Sequence, residues 1–298
     1  MNRIFFIISA LVSFSLAQTT YPGLNAWTHG QTVGLAGGGY LFANQNEFRN
    51  PAMLPDSTRH FKINMVKYPA GISGQSIIIN GQRAQHRFGI KANRLNYGQF
   101  DGRDLNNNTT GDYSAGDIHI QAAYGKAFNS GRFVFGISGG FFMSAIENEK
   151  ANVFTLSPGI IFHSRIVKTG LSLQNYGTVL KSYSNVSSRL PSVVIASFSR
   201  GISGLPLIFE VDYIHSTNGQ DSNFILSSLL YLKNGLIIKS GTSLHKKGQI
   251  TEVSFLNNIF ADMGMGISYE YEDILFDLNT YTYGPGGFVF AMGLSVRY

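Results

Sequence analysis

The sequence predicts an all-β fold: a transmembrane, antiparallel, up-and-down β-barrel of about fourteen strands, with a small N-terminal hatch in the lumen. Three observations predict it. The chain ends in strict alternation, with Phe288, Phe290, Met292, Leu294, Val296 and Tyr298 on one face and Val289, Ala291, Gly293, Ser295 and Arg297 on the other. A tilted strand crosses a bilayer in about 9–11 residues, bulky and apolar toward lipid, small and polar toward a lumen. The edge strand of a soluble sandwich also alternates, but here the outward face is the bulkier one throughout and other segments repeat the pattern. Second, charged residues make up 13% of the chain and aromatics 13%, with 34 Gly and a mean hydropathy of +0.02. No run after the N-terminus reaches the roughly eighteen apolar residues of a helical span, which excludes a polytopic helical membrane protein. Third, strand-plus-turn units recur about every 17 residues, where a sandwich would turn every 8–12 or so.

Met1–Asn2–Arg3 is a short basic start, and Ile4–Leu16 is an apolar run ending in Ser15-Leu16-Ala17. This reads as a signal peptide over 1–17, cleaved before Gln18 and too short to span. It sends the mature chain toward the outer membrane of a Gram-negative cell. Residues 18–59 do not alternate and are read as the hatch. They hold Trp27, the glycines Gly37, Gly38 and Gly39, and Asn50, Pro51 and Ala52. A phosphate cradle is disfavoured, because no Lys-Ser/Thr follows and no strand precedes. Glycine here reads instead as close backbone approach, and Asn-Pro as a turn.

The barrel is assigned to 60–298. Runs 61–68 and 74–80 form a first pair, and 86–100 leads to a polar tip at 101–112, placed on the extracellular side where barrel loops are longer. Further alternating runs are 118–125, 154–163, 207–214 and 263–272. Pro158 would cost a ladder bond in a central strand, so a bulge or rim is expected there. Turn signals stand at 129–131, 203–204, 218–219, 234–235, 247–248 and 284–287. The last strand is expected to close the barrel against 61–68. The aromatic end, Phe288, Phe290 and Tyr298, resembles the C-terminal signal read by the barrel assembly machinery.

Charges at inward register positions are the candidate site. Glu210, Asp212, Lys239, Glu270, Glu272 and Arg297 alternate with bulky apolar neighbours, and a charge facing lipid is expensive, so they are assigned to the lumen. They are read either as structural charges holding a filled lumen together or as a path for a ligand.

Other chemistry is poorly supported. The net charge is +6, but the 23 basic residues are scattered rather than clustered as a nucleic-acid surface requires, and no nucleic-acid partner is expected. There is no Cys, which removes thiol chemistry and lipoprotein anchoring. No two of the seven His stand at metal-ligand spacing. His163 and Ser172 lie on successive segments and could meet as a lipase-type pair, but no Gly-x-Ser-x-Gly elbow occurs. No enzyme, metal or cofactor is expected.

Gly37–Gly39 followed by Asn50-Pro51-Ala52 and Leu54 resembles the N-terminus of FadL-type outer-membrane barrels, and is most similar to their PorV/PorQ branch. Gly170-Leu171-Ser172-Leu173-Gln174-Asn175-Tyr176-Gly177, then Leu190-Pro191 and Val211-Asp212-Tyr213, resemble mid-barrel strands of that branch. Where the branch carries acids between the two N-terminal motifs, this chain has Gln45, Asn46 and Glu47, with one acid only. The resemblance implies a role in type IX protein secretion or surface protein handling, with secretion components or exported proteins as partners beside outer-membrane lipid. The alternative, implied by FadL itself, is a channel for hydrophobic small molecules with the hatch as gate and a lateral exit between strands. A structural or adhesive barrel is a third reading.

Overall fold

The computed structural model describes residues 21–44, 47–104, 106–128, 131–183, 189–217, 222–243, 261–283 and 287–298. The signal peptide and the turn signals at 129–130, 218–219, 247–248 and 284–286 lie outside the described residues. The wall is built from β1 (His60–Lys67), β2 (Ser73–Arg83), β3 (His86–Arg103), β4 (Thr109–Phe128) and β5 (Phe133–Ile146). It continues through β6 (Glu149–His163), β7 (Lys168–Gln174), β8 (Tyr176–Lys181), β9 (Val193–Gly201) and β10 (Leu207–Ser216). β11 (Ser222–Tyr231), β12 (Leu236–Ser243), β13 (Met263–Tyr271), β14 (Ile274–Thr282) and β15 (Phe288–Arg297) complete it. Neighbours pair antiparallel, and β7 and β8 share one place beside β6, so these fifteen strands fill fourteen positions in the wall. The ring closes where β1 pairs with β15, from His60↔Arg297 to Lys67↔Phe290.

Alternation places the side chains. Phe61, Ile63, Met65, Ile77, Ile79, Ile267, Phe276, Leu278 and Met292 all stand exposed on the outer surface. Their neighbours in sequence turn inward: Lys62, Asn64, Ser76, Ser268, Asp277 and Ser295 are buried. A closed ring leaves no edge, and this exterior is stable only in lipid. No helix among the described residues is long and apolar enough to cross a membrane; the strands do the crossing. The connections 84–85, 164–167, 202–206, 232–235 and 272–273 are short and lie at the end carrying Tyr298, which is therefore periplasmic. β8 and β12, which are followed by the longest intervals of sequence before the next strand, end at the opposite, extracellular side.

The predicted tip at 101–112 is mostly hairpin. β3 and β4 run on past a register shift at Asn96/Gly98 and stay paired out to Arg103↔Thr109. Asp104 Oδ1 accepts from the backbone N–H groups of Asn106 and Asn108 at 2.9 and 2.8 Å, a local carboxylate cap that lets the strands extend.

At the closing seam, Tyr298 Oη donates to Asn80 O at 2.6 Å and the Arg59 guanidinium lies 5.7 Å from the Tyr298 ring. Deleting Tyr298 is expected to lower the yield of heat-modifiable barrel in the outer membrane while leaving the activity of assembled molecules intact. Equal loss of both would count against a recognition role for the terminal aromatic.

Candidate functional site

Residues 21–44 and 47–59 lie in the lumen and form the core with the inner wall. Val33 and Ala36 pack with Val66, Ile225, Tyr281 and Val289; Leu41, Ala52 and Met53 with Val134 and Ile161; Phe48 and Leu54 with Ile78 and Ala123. The wall makes room by presenting glycine inward. A Cβ on Gly136 would lie 2.2 Å from Ala52 N, and one on Gly241 would lie 2.2 Å from Leu35 O. These contacts are to backbone, which cannot swing aside as a long side chain can.

The Gly-rich turn is held by two acids predicted for the lumen. Gly37 and Gly39 take φ of 86° and 88°, where a side chain would be strained. Gly39 N donates to Asp212 Oδ2 at 3.0 Å and Leu41 N to Glu210 Oε1 at 2.8 Å, so β10 receives N–H groups that no helix or strand satisfies. A Cβ on Gly38 would stand 3.0 Å from Asp212 Oδ2. Arg49 donates to the carbonyls of Gly37 and Gly38 and lies 4.2 Å over the Tyr40 ring. Asn50 accepts from Ala52 N at 3.1 Å and, with Pro51, starts a short 3-10 turn, Pro51–Asp56.

A second cluster binds the segment to β1, β12 and β14. Lys239 Nζ lies 2.5 Å from Asp277 Oδ1, and Gln31 Nε2 donates to Asp277 Oδ2 at 2.5 Å. Gln31 Oε1 accepts from Lys62 Nζ at 3.0 Å, and Lys62 also donates to Asn44 O at 2.6 Å. Glu47 lies 4.0 Å from Lys62 and 3.2 Å from His29 Nδ1. Burial, helped by Lys91, Lys62 and Arg49, holds the His29 imidazole well below its usual range. Burial raises the Glu47 carboxyl against the pull of Lys62, Arg49 and Lys91.

Three assigned lumen charges lie elsewhere. Glu272 has φ 52° and is exposed in the β13–β14 turn. Glu270 and Arg297 keep the inward register but stand at the periplasmic rim, where they pair with each other at 2.8 Å, each 38% exposed. They fall at strand ends, where alternation still reads inward but the wall has run out. His163 and Ser172 do not meet: His163 pairs with Lys168 in the ladder and lies 3.6 Å from Asp56, while Ser172 sits opposite Gly159.

Pro158 occupies neither a rim nor a bulge. It pairs with Ile137 in mid-strand, but on its other side the wall is interrupted. β6 pairs with β7 up to Gly159↔Ser172 and resumes with β8 at Leu156↔Tyr176. Between them Asn175 takes a left-handed φ of 54°. A residue without an N–H fits opposite a break in the ladder. Beyond the kink, among the described residues, β8 pairs with β6 alone, while β9 ends its ladder with β7 at Gln174↔Val193. Side chains replace the lost ladder: Asn175 N donates to Ser157 Oγ at 3.1 Å and Ser192 Oγ donates to Asn175 O at 2.8 Å. Asn175 Nδ2 reaches inward to Leu24 O and Asn25 Oδ1 at 3.3 and 2.7 Å. One residue thus touches both the wall break and the lumen segment.

A cavity of about 360 Å³ lies between the segment and the wall. Trp27, Tyr40, Phe48, Ile225 and Tyr281 give it apolar walls; Lys91 and His119 stand at one side; Asn175 and Val193 line it where the wall parts. His29, Asn93 and Asn223 line it too, and each has a buried side-chain atom without a partner among the described residues. Among those residues no cluster of acids and histidines could hold a metal.

No protein-family model matches the chain, and no curated protein matches it. Solved structures do. The P. putida toluene transporter TodX aligns with a TM-score of 0.59 at 11% identity, covering 92% of this chain and 99% of that one. A deltaS2 mutant of TodX, a monoaromatic hydrocarbon channel, gives 0.61 at 12% identity, covering 92% and 99%. A FadL homologue of Pseudomonas aeruginosa gives 0.54 at 10% identity, covering 91% and 98%. At such identity the likeness is one of fold, and that fold is the FadL-type barrel; nothing in it singles out the PorV/PorQ branch. Fold and lipid-facing exterior together make this an outer-membrane protein of a Gram-negative cell.

Proposed function

We propose that the barrel is a channel for hydrophobic small molecules, with residues 21–59 as its gate and the break beside Asn175 as a lateral exit. The observation that carries this reading is that the internal cavity reaches the wall at the place where the wall parts. About 360 Å³ matches the lower range of small-molecule sites and is far too small for a protein segment of any length. Its aromatic walls suit an apolar body, and the unpartnered His29, Asn93 and Asn223 atoms suit one small polar group. Neighbours of the same fold transport toluene and monoaromatic hydrocarbons, which favours uptake. The expected link to type IX secretion finds no support among these neighbours, and a receptor for exported proteins has no use for an internal cavity.

The test is uptake of toluene by cells whose outer membrane carries the barrel, with a hydrophilic sugar as control. Asn175→Val puts a β-branched residue at a left-handed φ, a cost of about 1–2 kcal/mol that favours a straight, sealed strand. Toluene entry is expected to fall about tenfold with the sugar unaffected. Unchanged toluene entry in the variant, or normal uptake but periplasmic retention of surface proteins on gene deletion, would reject the channel reading.

A further inference from the structure

The outer surface carries a feature that a channel does not require. On the lipid-facing side of β13, β14, β15 and β1 lies a groove of about 620 Å³, lined by Met65, Met265, Ile267, Leu278, Phe290 and Met292, with Lys67 at its margin. Three of the chain's seven Met are in it. Flexible thioether side chains suit an alkyl chain that has no fixed shape.

The cross-strand register leads from this groove to a cationic end. One row runs Ile267↔Leu278↔Met292↔Met65↔Gln75↔Arg94, and the next runs Met265↔Thr280↔Phe290↔Lys67↔Ser73↔Asn96. Lys67, Gln75 and Arg94 are exposed on the outward face, among Phe61, Ile63, Ile77, Ile79 and Ile90. One strand, β2, stands between Lys67 and Arg94, which lie two strand spacings across and two residues along from each other, about 12 Å, within reach of two long side chains converging on one group. The rows climb toward the extracellular side as they pass from β13 to β3. The row through Phe61 meets β14 at its first residue, Ile274, but meets β3 well inside, at Ile90. The groove therefore lies deeper in the hydrocarbon, and the cations lie higher, toward the outer headgroups. Among the described residues neither the Lys67 nor the Arg94 side chain has a hydrogen bond or ion pair. β1 and β2 contain no acid, and the one acid of β3, Asp101, lies beyond the register shift.

We propose that this surface is a binding site for a phosphorylated lipid of the outer leaflet, with an acyl chain in the Met-lined groove and a phosphate held by Lys67, Gln75 and Arg94. Charge complementarity selects the headgroup: two cations with an amide donor between them match a phosphate, and no carboxylate competes. An arginine on the lipid face is favourable where an anionic headgroup meets it. The site is independent of the lumen and of what passes through it.

Native mass spectrometry of the detergent-solubilised barrel tests this, with diphosphorylated lipid A, dephosphorylated lipid A and phosphatidylcholine as probes. The wild-type barrel is expected to retain diphosphorylated lipid A in preference to the other two. Each cation at an anionic lipid surface is worth about fivefold, so Lys67→Gln with Arg94→Gln should weaken retention about thirtyfold. Lys126→Gln, on the outward face near the periplasmic end, should leave it unchanged, and Lys67→Arg with Arg94→Lys should keep it. Equal retention of the dephosphorylated lipid by the wild type overturns the proposal without any variant. So does undiminished binding by the double Gln variant, or a dimer through this face in place of a lipid adduct.

Discussion

Gly136→Leu is expected to unseat the lumen segment and turn a closed barrel into a leaky one. Gly136 faces inward from β5, and its position admits no side chain: a Cβ would lie 2.2 Å from Ala52 N and from Pro51 C, and 2.4 Å from Pro51 O. Those atoms belong to the turn that Asn50 caps, so they cannot yield singly. Overpacking of this kind costs about 1–3 kcal/mol, and all of it falls on the docked state. The balance of docked to undocked segment then shifts roughly 5- to 150-fold. In planar bilayers the variant should show ion conductance well above the wild type while keeping its heat-modifiable mobility. Gly81→Leu is the control, because a Cβ at Gly81 meets nothing within 4 Å. A Gly136→Leu barrel as silent as the wild type would mean that the segment and wall move together, and the gate assignment would fall.

Asp277→Ala is expected to be the most damaging single substitution for stability. Asp277 accepts from Lys239, Gln31 and Ser268. Lys239 is 1% exposed, so removing the carboxylate strands a buried cation, a loss of about 3–5 kcal/mol. Gln31 loses its acceptor as well, and with it the bridge to Lys62. Because the damage comes from an unpaired charge, Asp277→Ala combined with Lys239→Met should recover most of the loss. Urea unfolding in lipid vesicles reads both. A double variant no better than Asp277→Ala would show that the carboxylate serves the lumen segment rather than Lys239.

The wall was largely legible in the sequence because strand alternation is a local signal, and a lipid exterior makes its violation costly. Glu210, Asp212 and Lys239 were found this way, and the same reasoning applied to Lys62 between Phe61 and Ile63, or to Lys91 between Ile90 and Ala92, would have found two more inward charges. It failed for Glu270, Glu272 and Arg297, since alternation says which way a residue points and not how far along the barrel it stands. In the sequence Asn175 stands out only as part of a motif. Its left-handed backbone has a local hint in Asn followed by an aromatic and Gly177, but its consequence, two partial strands sharing one place, is a matter of register between β6, β7 and β9. Pro158 drew attention for the missing donor. Only the register shows that the gap it leaves is in the next strand rather than its own.

The link between Gln31 and Asp277 spans 246 residues, and it bears on how the molecule comes together. Residues 21–59 precede every strand in the chain, yet some of their polar partners, Glu210, Asp212 and Asp277, lie on β10 and β14, and β14 is among the last strands made. Contacts this distant along the chain are slow to form, because the loop they close is long. A ring already sealed by β1 and β15 would have no edge left to admit the segment. The strands must therefore wrap around a segment that waits among them, with closure and filling completed as one late, cooperative event.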